Sequence, residues 1–240
     1  MTIAKIIHQI WFNFKNTENG NKIPYKYKKY QKKLIDSNKD YKYILWDEKS
    51  ATELIKEKYK WCYERFKSFK YQVKKVDYFK YILMYEYGGI YLDMDIKSIK
   101  SINLEKINKS KKKVILCKCQ KVLIIDMFCK IQNCVLMGEK KNIFWLFLLK
   151  NINNWERTYI SYINSVLDVL VHTGPVILTN TYEKYNKKDD ILLLESCMFV
   201  NDKKTKESYT IHLSDSTWID KSYEKQLFII IVIIFIYLNK

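Results

Sequence analysis

The 240-residue chain has little glycine and proline, 5 and 2 residues respectively. So few turn-forming residues exclude a collagen-like repeat and a proline-rich linker. Its six cysteines, at 62, 117, 119, 129, 134 and 197, include no C-x-x-C pair. Cys117-x-Cys119 has no matching pair elsewhere, which argues against a structural zinc site. The chain shows no helix-turn-helix, zinc-finger or RNA-binding signature, so no specific nucleic-acid partner is expected. The opening ten residues contain Lys5 and His8 and read as a strand rather than a signal peptide. The simplest expectation is a cytoplasmic protein with reduced cysteines. The apolar run at 227–238 has twelve residues, short of the roughly 20 a spanning helix needs.

What is present fits one sizeable α/β domain over 1–220, followed by an apolar tail at 221–240. Hydrophobic residues make up 48% of the chain, which excludes a disordered polymer. The net charge is +17, from 43 Lys and Arg against 26 Asp and Glu, nearly all of the positive charge being lysine. A basic surface suits anionic partners, and peripheral contact with the inner face of the cell membrane fits better than nucleic acid. Lys221 and Lys225, just before the tail, are placed to meet anionic headgroups. The tail itself reads equally as a covered strand, a buried helix or a membrane-touching segment.

The stretch at 87–96, YGGIYLDMDI, organises the rest. Helical periodicity over 73–87 places Val76, Phe79, Leu83 and Met84 on its apolar side. Gly88 and Gly89 end that helix, and the apolar strand Ile90-Tyr91-Leu92 follows at once. Continued as a strand, this segment points Tyr91, Asp93 and Asp95 to one face. Paired carboxylates at the end of a buried strand suit a hard divalent cation shared with phosphates. An isolated Asp-x-Asp is by itself no more than a solvated strand end. Asp77 and Lys80, spaced i, i+3, can pair on the helix.

VDYFKYILMYEYGGIYLDMD resembles the signature of glycosyltransferase family 32, S-D-x-x-R-x-x-x-L-x-x-x-G-G-x-Y-x-D-x-D, which the large clostridial glucosylating toxins share. The opening AKIIHQIW resembles the family's I-P-K-I-I-H-Q-I-W, with Ala4 in place of proline. The resemblance implies a GT-A-type α/β fold with a mixed, mainly parallel sheet flanked by helices. It implies a UDP- or GDP-sugar donor, a saccharide acceptor that can be lipid-linked, a Mn²⁺ or Mg²⁺ cofactor and retention of configuration. Cell-surface polysaccharide, capsular or lipopolysaccharide, is the acceptor it suggests. By the same resemblance Asp93, Asp95 and Asp77 carry the catalysis, and Asp95, Asp93 and His212 hold the metal. His8, Ile10, Trp11, Asp77, Lys80, Tyr91, Asp93 and Trp218 line the donor. Asn133, Thr173 and Gly174 face the acceptor. Lys80 stands where the family prefers arginine, and a lysine offers charge without a bidentate fork. Thr217 replaces the serine of a terminal S-W.

Other readings stay open. Asp93 and Asp95, roughly 6–7 Å apart on a strand, would also serve a glycoside hydrolase. A basic anionic-surface or nucleic-acid binder, or a decayed non-catalytic member of the fold, fits the charge and the departures. Elsewhere the pattern predicts strands at 4–14, 41–46, 114–119, 122–125, 191–194 and 198–200, and 131–138 resembles a family stretch in which an asparagine, here Asn133, precedes an apolar strand. It predicts helices at 25–37, 50–59, 142–155 and from Pro175 to about 185, with Asp47 as an N-cap.

Overall fold

A computed structural model of the chain describes residues 2–13, 22–120, 129–155 and 165–215. Among these, the strands are β1 (Ile6–Ile10), β2 (Lys42–Trp46), β3 (Gly89–Leu92), β4 (Ile96–Ser98), β5 (Val114–Lys118), β6 (Ile131–Gly138), β7 (Ile191–Leu194) and β8 (Thr210–His212). The helices are α1 (Tyr25–Ser37), α2 (Glu48–Lys58), α3 (Lys60–Ser68), α4 (Gln72–Glu86), α5 (Leu104–Ile107), α6 (Ile143–Asn153), α7 (Ser165–His172) and α8 (Pro175–Lys184). Six strands form one sheet in the order β2-β1-β3-β6-β5-β7, while β4 and β8 pair separately. Within the large sheet only β6 runs against its neighbours. The fold is therefore the mixed, mainly parallel α/β sheet flanked by helices that the sequence suggested.

Both faces of the sheet are covered. Phe79, Tyr91, Leu136, Trp145, Leu148 and Leu178 join the core on the α4–α6–α8 side. Leu34, Ile90, Leu92, Met137, Phe199 and Tyr209 form the core on the other side. Alternation along β3, with Tyr91 to one core and Ile90 and Leu92 to the other, is the two-residue period of a strand buried on both faces. Local signals set several boundaries. Asp47 accepts from the Ser50 backbone N–H at 2.8 Å, and the Ser50 hydroxyl accepts from the Asp47 N–H at 3.1 Å, a reciprocal cap on α2. Asn142 caps α6, and Pro175 opens α8.

Helix α4 is buried nearly all round, from Val76 to Met84. It ends where Gly88 and Gly89 take φ of +64° and +87°. A Cβ on Gly88 would sit 2.4 Å from the Lys140 nitrogen, and one on Gly89 2.6 Å from the Ile6 carbonyl oxygen. Both conformation and space therefore demand glycine. His8 locks this turn to β1. The Trp46 indole N–H donates to its Nδ1 at 3.2 Å, so the other ring nitrogen carries the proton and faces the Gly88 carbonyl at 3.0 Å. His8 is fully buried, and burial lowers it to about 4 against the opposing pull of the Gly88 bond.

The differences from expectation are local. β3 stops at Leu92, and the aspartates lie in a turn before β4. Residues 198–200 are not a strand: the 3₁₀ turn Ser196–Met198 takes in their start, and the Phe199 and Val200 N–H groups both bond back to the Ser196 carbonyl. The aromatic stretch at 61–71 supplies α3. The expected strand at 122–125, Thr217, Trp218, the boundary at 220 and the apolar tail lie outside the described residues. Among the described residues no helix is long and apolar enough to cross a membrane.

Two measurements check this framework. Gly89→Ala should lower stability by about 3 kcal/mol, from backbone strain plus collision with β1, as read by denaturant melts. His8 titrates near 6.5 when unfolded and near 4 when folded. Below pH 6.5 the unfolded chain takes up a proton the folded chain refuses. Stability is full above that pH and declines toward pH 4, by up to about 3 kcal/mol. Melting temperature should therefore fall more steeply from pH 7 to 5 in the wild type than in His8→Gln, and parallel curves would refute this role.

Candidate active site around the aspartate pair

β3 delivers Asp93 to the carboxyl end of an interior strand, where β1 and β2 also end. The Asp93 N–H donates to the Cys134 carbonyl of β6 at 3.0 Å. Its own carbonyl accepts from Ile96 N–H at 3.2 Å, closing the turn, and from Gln9 Nε2 at 3.1 Å. Gln9 is fully buried. Its Oε1 accepts from the Tyr43 hydroxyl at 2.9 Å, and that hydroxyl accepts from Gln31 at 2.7 Å. A chain of side-chain bonds thus runs from α1 through β2 and β1 to the backbone of Asp93. Sequence reasoning named the flanking residues and missed Gln9. Its signal was an uncharged polar residue inside an apolar strand, which needs a partner.

Asp95 is brought to His212 by the small ladder, in which Ile96 pairs with His212. Asp95 Oδ2 lies 3.3 Å from His212 Nε2 and accepts from the Asp215 N–H at 3.0 Å. Lys26 of α1 pairs with Asp215 at 2.6 Å. The Tyr91 hydroxyl donates to Asp93 Oδ1 at 2.5 Å. One ligand atom each from Asp93, Asp95 and His212 lie within 4.8 Å of one another. Two carboxylates and an imidazole at that spacing fit a divalent cation with positions left for water or phosphate oxygens. The turn, not strand alternation, makes the two carboxylates converge.

Beside this trio lies a buried polar cluster. Lys80 pairs with Asp77 at 2.6 Å, their side chains 1% and 8% exposed. Asn133 donates to Asp77 Oδ1 at 3.1 Å, and the Thr173 hydroxyl donates to Oδ2 at 3.3 Å. The Tyr81 hydroxyl donates to the Thr173 carbonyl at 2.9 Å. Lys80 also stands 5.3 Å over the Tyr91 ring. A surface ion pair is thereby excluded. The cluster joins α4, β6 and the loop before α8. Gly174 is the N-cap of α8.

Burial is the dominant influence on every charge here. It raises Asp93 to about 6, with Asp95 adding to the rise and Lys80, Tyr91 and His212 opposing it. Burial also acts against Asp95, but His212 and the Asp215 N–H hold it below its ordinary value. Burial disfavours charge on Lys80, and Asp77 and Asp93 outweigh it, keeping the ammonium charged. For His212, the Cys134 sulfur and Asp95 overcome burial and push it up to about 12. A cation bound there would take the place of that proton.

The donor-side residues expected from sequence are dispersed. Trp11 is half-buried at the end of β1, its ring 5.7 Å from that of Tyr27. Ile10 is in the core at 3% exposure, and His8 is the buried lock described above. Trp218 lies outside the described residues.

The family model for the glycosyltransferase sugar-binding region containing DXD motif matches residues 24–113, which hold Asp77, Lys80 and the aspartate pair. Over that stretch, which is less than half of the chain, the sequence is similar to this family of DXD glycosyltransferases. Its relatives include inositol phosphoceramide mannosyltransferase 3 of Schizosaccharomyces pombe, 29% identical over 78% of this chain and 47% of that protein. Mannosyl phosphorylinositol ceramide synthase SUR1 of Saccharomyces cerevisiae is 28% identical over 77% of this chain and 43% of its own length. The chain thus spans less than half the length of these curated relatives. In fold, the chain is similar to the UDP-bound glycosyltransferase domain of the YGT toxin, with a TM-score of 0.53 at 9% identity over 88% of this chain and 83% of that one.

The Asp77–Lys80 pair yields a prediction. Lys80→Met strands a buried carboxylate and should cost about 3–5 kcal/mol. The double variant Asp77→Asn/Lys80→Met should regain most of that loss in denaturant melts. A single variant as stable as wild type would show that the pair is not needed to hold α4 to β6.

Proposed function

We propose that the chain transfers a sugar from a UDP- or GDP-sugar to an acceptor hydroxyl, with Mn²⁺ or Mg²⁺ bound by Asp93, Asp95 and His212. The observation that carries this reading is the convergence of those three side chains at the end of an interior strand, beside a buried, charged lysine. The departing group is a nucleoside diphosphate, on which negative charge builds as the glycosidic bond breaks. The cation, when bound, supplies neutralising charge for that group. The chain's own residues arrange the rest. Tyr91 orients Asp93 through its short bond, and Gln9 holds the backbone beneath it. Lys80 adds fixed positive potential close to the developing charge. Asp77 holds Lys80 and Asn133 in place. Trp11 offers a ring face to the nucleotide base. Asn133, Thr173 and Gly174 sit on the acceptor side. Among the described residues no side chain is set as a nucleophile, and transfer with retention of configuration leaves the acceptor proton to the departing phosphate.

Mannose is the sugar we favour, because the relatives above are named as mannosyltransferases. Their names also carry a phosphorylinositol ceramide acceptor, which favours an inositol-phosphate lipid over a cell-surface polysaccharide here. The +17 charge of the chain suits work at an anionic membrane surface. A hydrolase acting through Asp93 and Asp95 as acid and base is disfavoured, since His212 shares the point on which both carboxylates converge.

Thermal stability with Mn²⁺ and a panel including GDP-mannose and UDP-sugars tests the reading. One nucleotide sugar should raise the melting temperature by several degrees at a hundredfold excess over its Kd, equivalent to about 2.7 kcal/mol. EDTA and Asp95→Ala should each abolish the shift. No shift with any donor at millimolar concentration would overturn the proposal.

A further inference from the structure

Cys119 follows β5 and Cys129 precedes β6, at the end of the hairpin where the aspartate turn lies. Their sulfurs are 2.9 Å apart. Both residues are buried, at 6% and 5% exposure. The backbone holds them there: Cys119 N–H donates to the Lys130 carbonyl at 2.9 Å. Cys129 Sγ also lies 3.6 Å from the Ile131 carbonyl oxygen. The sulfurs need less than an ångström of approach to reach the roughly 2.0 Å of a disulfide, and the paired strands already bring the two backbones together.

We propose that Cys119 and Cys129 form a disulfide that closes this end of the β5–β6 hairpin. The oxidant is a small-molecule disulfide such as oxidised glutathione. One cysteine thiolate attacks it, forming a mixed disulfide and releasing one thiol. The second cysteine thiolate then displaces the other thiol, forming the Cys119–Cys129 bond. Two cysteine thiols are oxidised and one external disulfide is reduced to two thiols. Four residues beyond Cys129, β6 carries Asn133 to Asp77, and the next residue offers its carbonyl to Asp93. The link therefore braces the strand on which both parts of the candidate site rest. It does not depend on the chain being a transferase. It runs against the expectation of a cytoplasmic protein with reduced cysteines.

The full chain, equilibrated with oxidised glutathione and then denatured and alkylated without reductant, tests the link by peptide mass mapping. The expected result is one cross-linked peptide pair containing Cys119 and Cys129, with Cys62, Cys117, Cys134 and Cys197 alkylated. Cys119→Ser should remove the pair and leave Cys129 alkylated or mixed with glutathione. Dithiothreitol should lower the melting temperature of the oxidised wild type by about 5 °C or more and leave Cys119→Ser/Cys129→Ser unmoved. Alkylation of both Cys119 and Cys129 in the wild type, or a bond from either to another cysteine, would overturn the proposal, and neither outcome needs a variant that folds.

Discussion

At Gly88 and Gly89 the backbone takes two consecutive positive φ angles, and helix becomes strand without an intervening loop. This reversal lays α4 back over the sheet it feeds. It places Lys80 over the ring of Tyr91 and carries Asp77 to Asn133 of β6. The turn is crowded on both sides by backbone, from Lys140 and from Ile6. A buried histidine bond to the Gly88 carbonyl then ties it to β1. Because β1, β3 and β6 are adjacent, one tight turn fixes the relative position of α4, the aspartate turn and β6.

The second constraint is the cost of the charges that this packing buries. Lys74, Asp77 and Lys80 all lie inside α4, and each finds a counter-charge: Lys74 with Asp168 at 2.7 Å, Lys80 with Asp77 at 2.6 Å. Pairs of this kind add little net stability, since desolvation offsets attraction. They do resist rearrangement, because moving either partner leaves a bare charge in a low-dielectric interior. The result is a preorganised field: a cation under the aspartate turn, and carboxylates whose protonation is shifted by burial. Sites that stabilise charge developing on a substrate gain from dipoles and charges that need not reorganise.

The Gln31–Tyr43–Gln9–Asp93 chain shows the same principle in neutral form. Gln31, Tyr43 and Gln9 together set where the backbone of the aspartate turn lies. Supporting bonds of this sort govern how well a metal site holds its geometry.

Much of this was legible in the chain itself. The limits of α1, the Asp47 cap, the glycine stop and the approach of Asp77 to Lys80 all depend on neighbours within a few residues, and periodicity and capping chemistry are local. The aspartate pair was read from its place at the end of an apolar strand, while His212 was tied to it only by a family pattern. What local pattern did not contain was anything that depends on strand order. The partners of His8, the use of Gln9, the Cys119–Cys129 approach and the turn that replaces the end of β3 all arise where segments distant in sequence become neighbours. Sequence by itself determined the elements and the chemical groups they carry. The tertiary structure decided which groups meet, because burial and the register of the sheet, not spacing along the chain, set the distances between them.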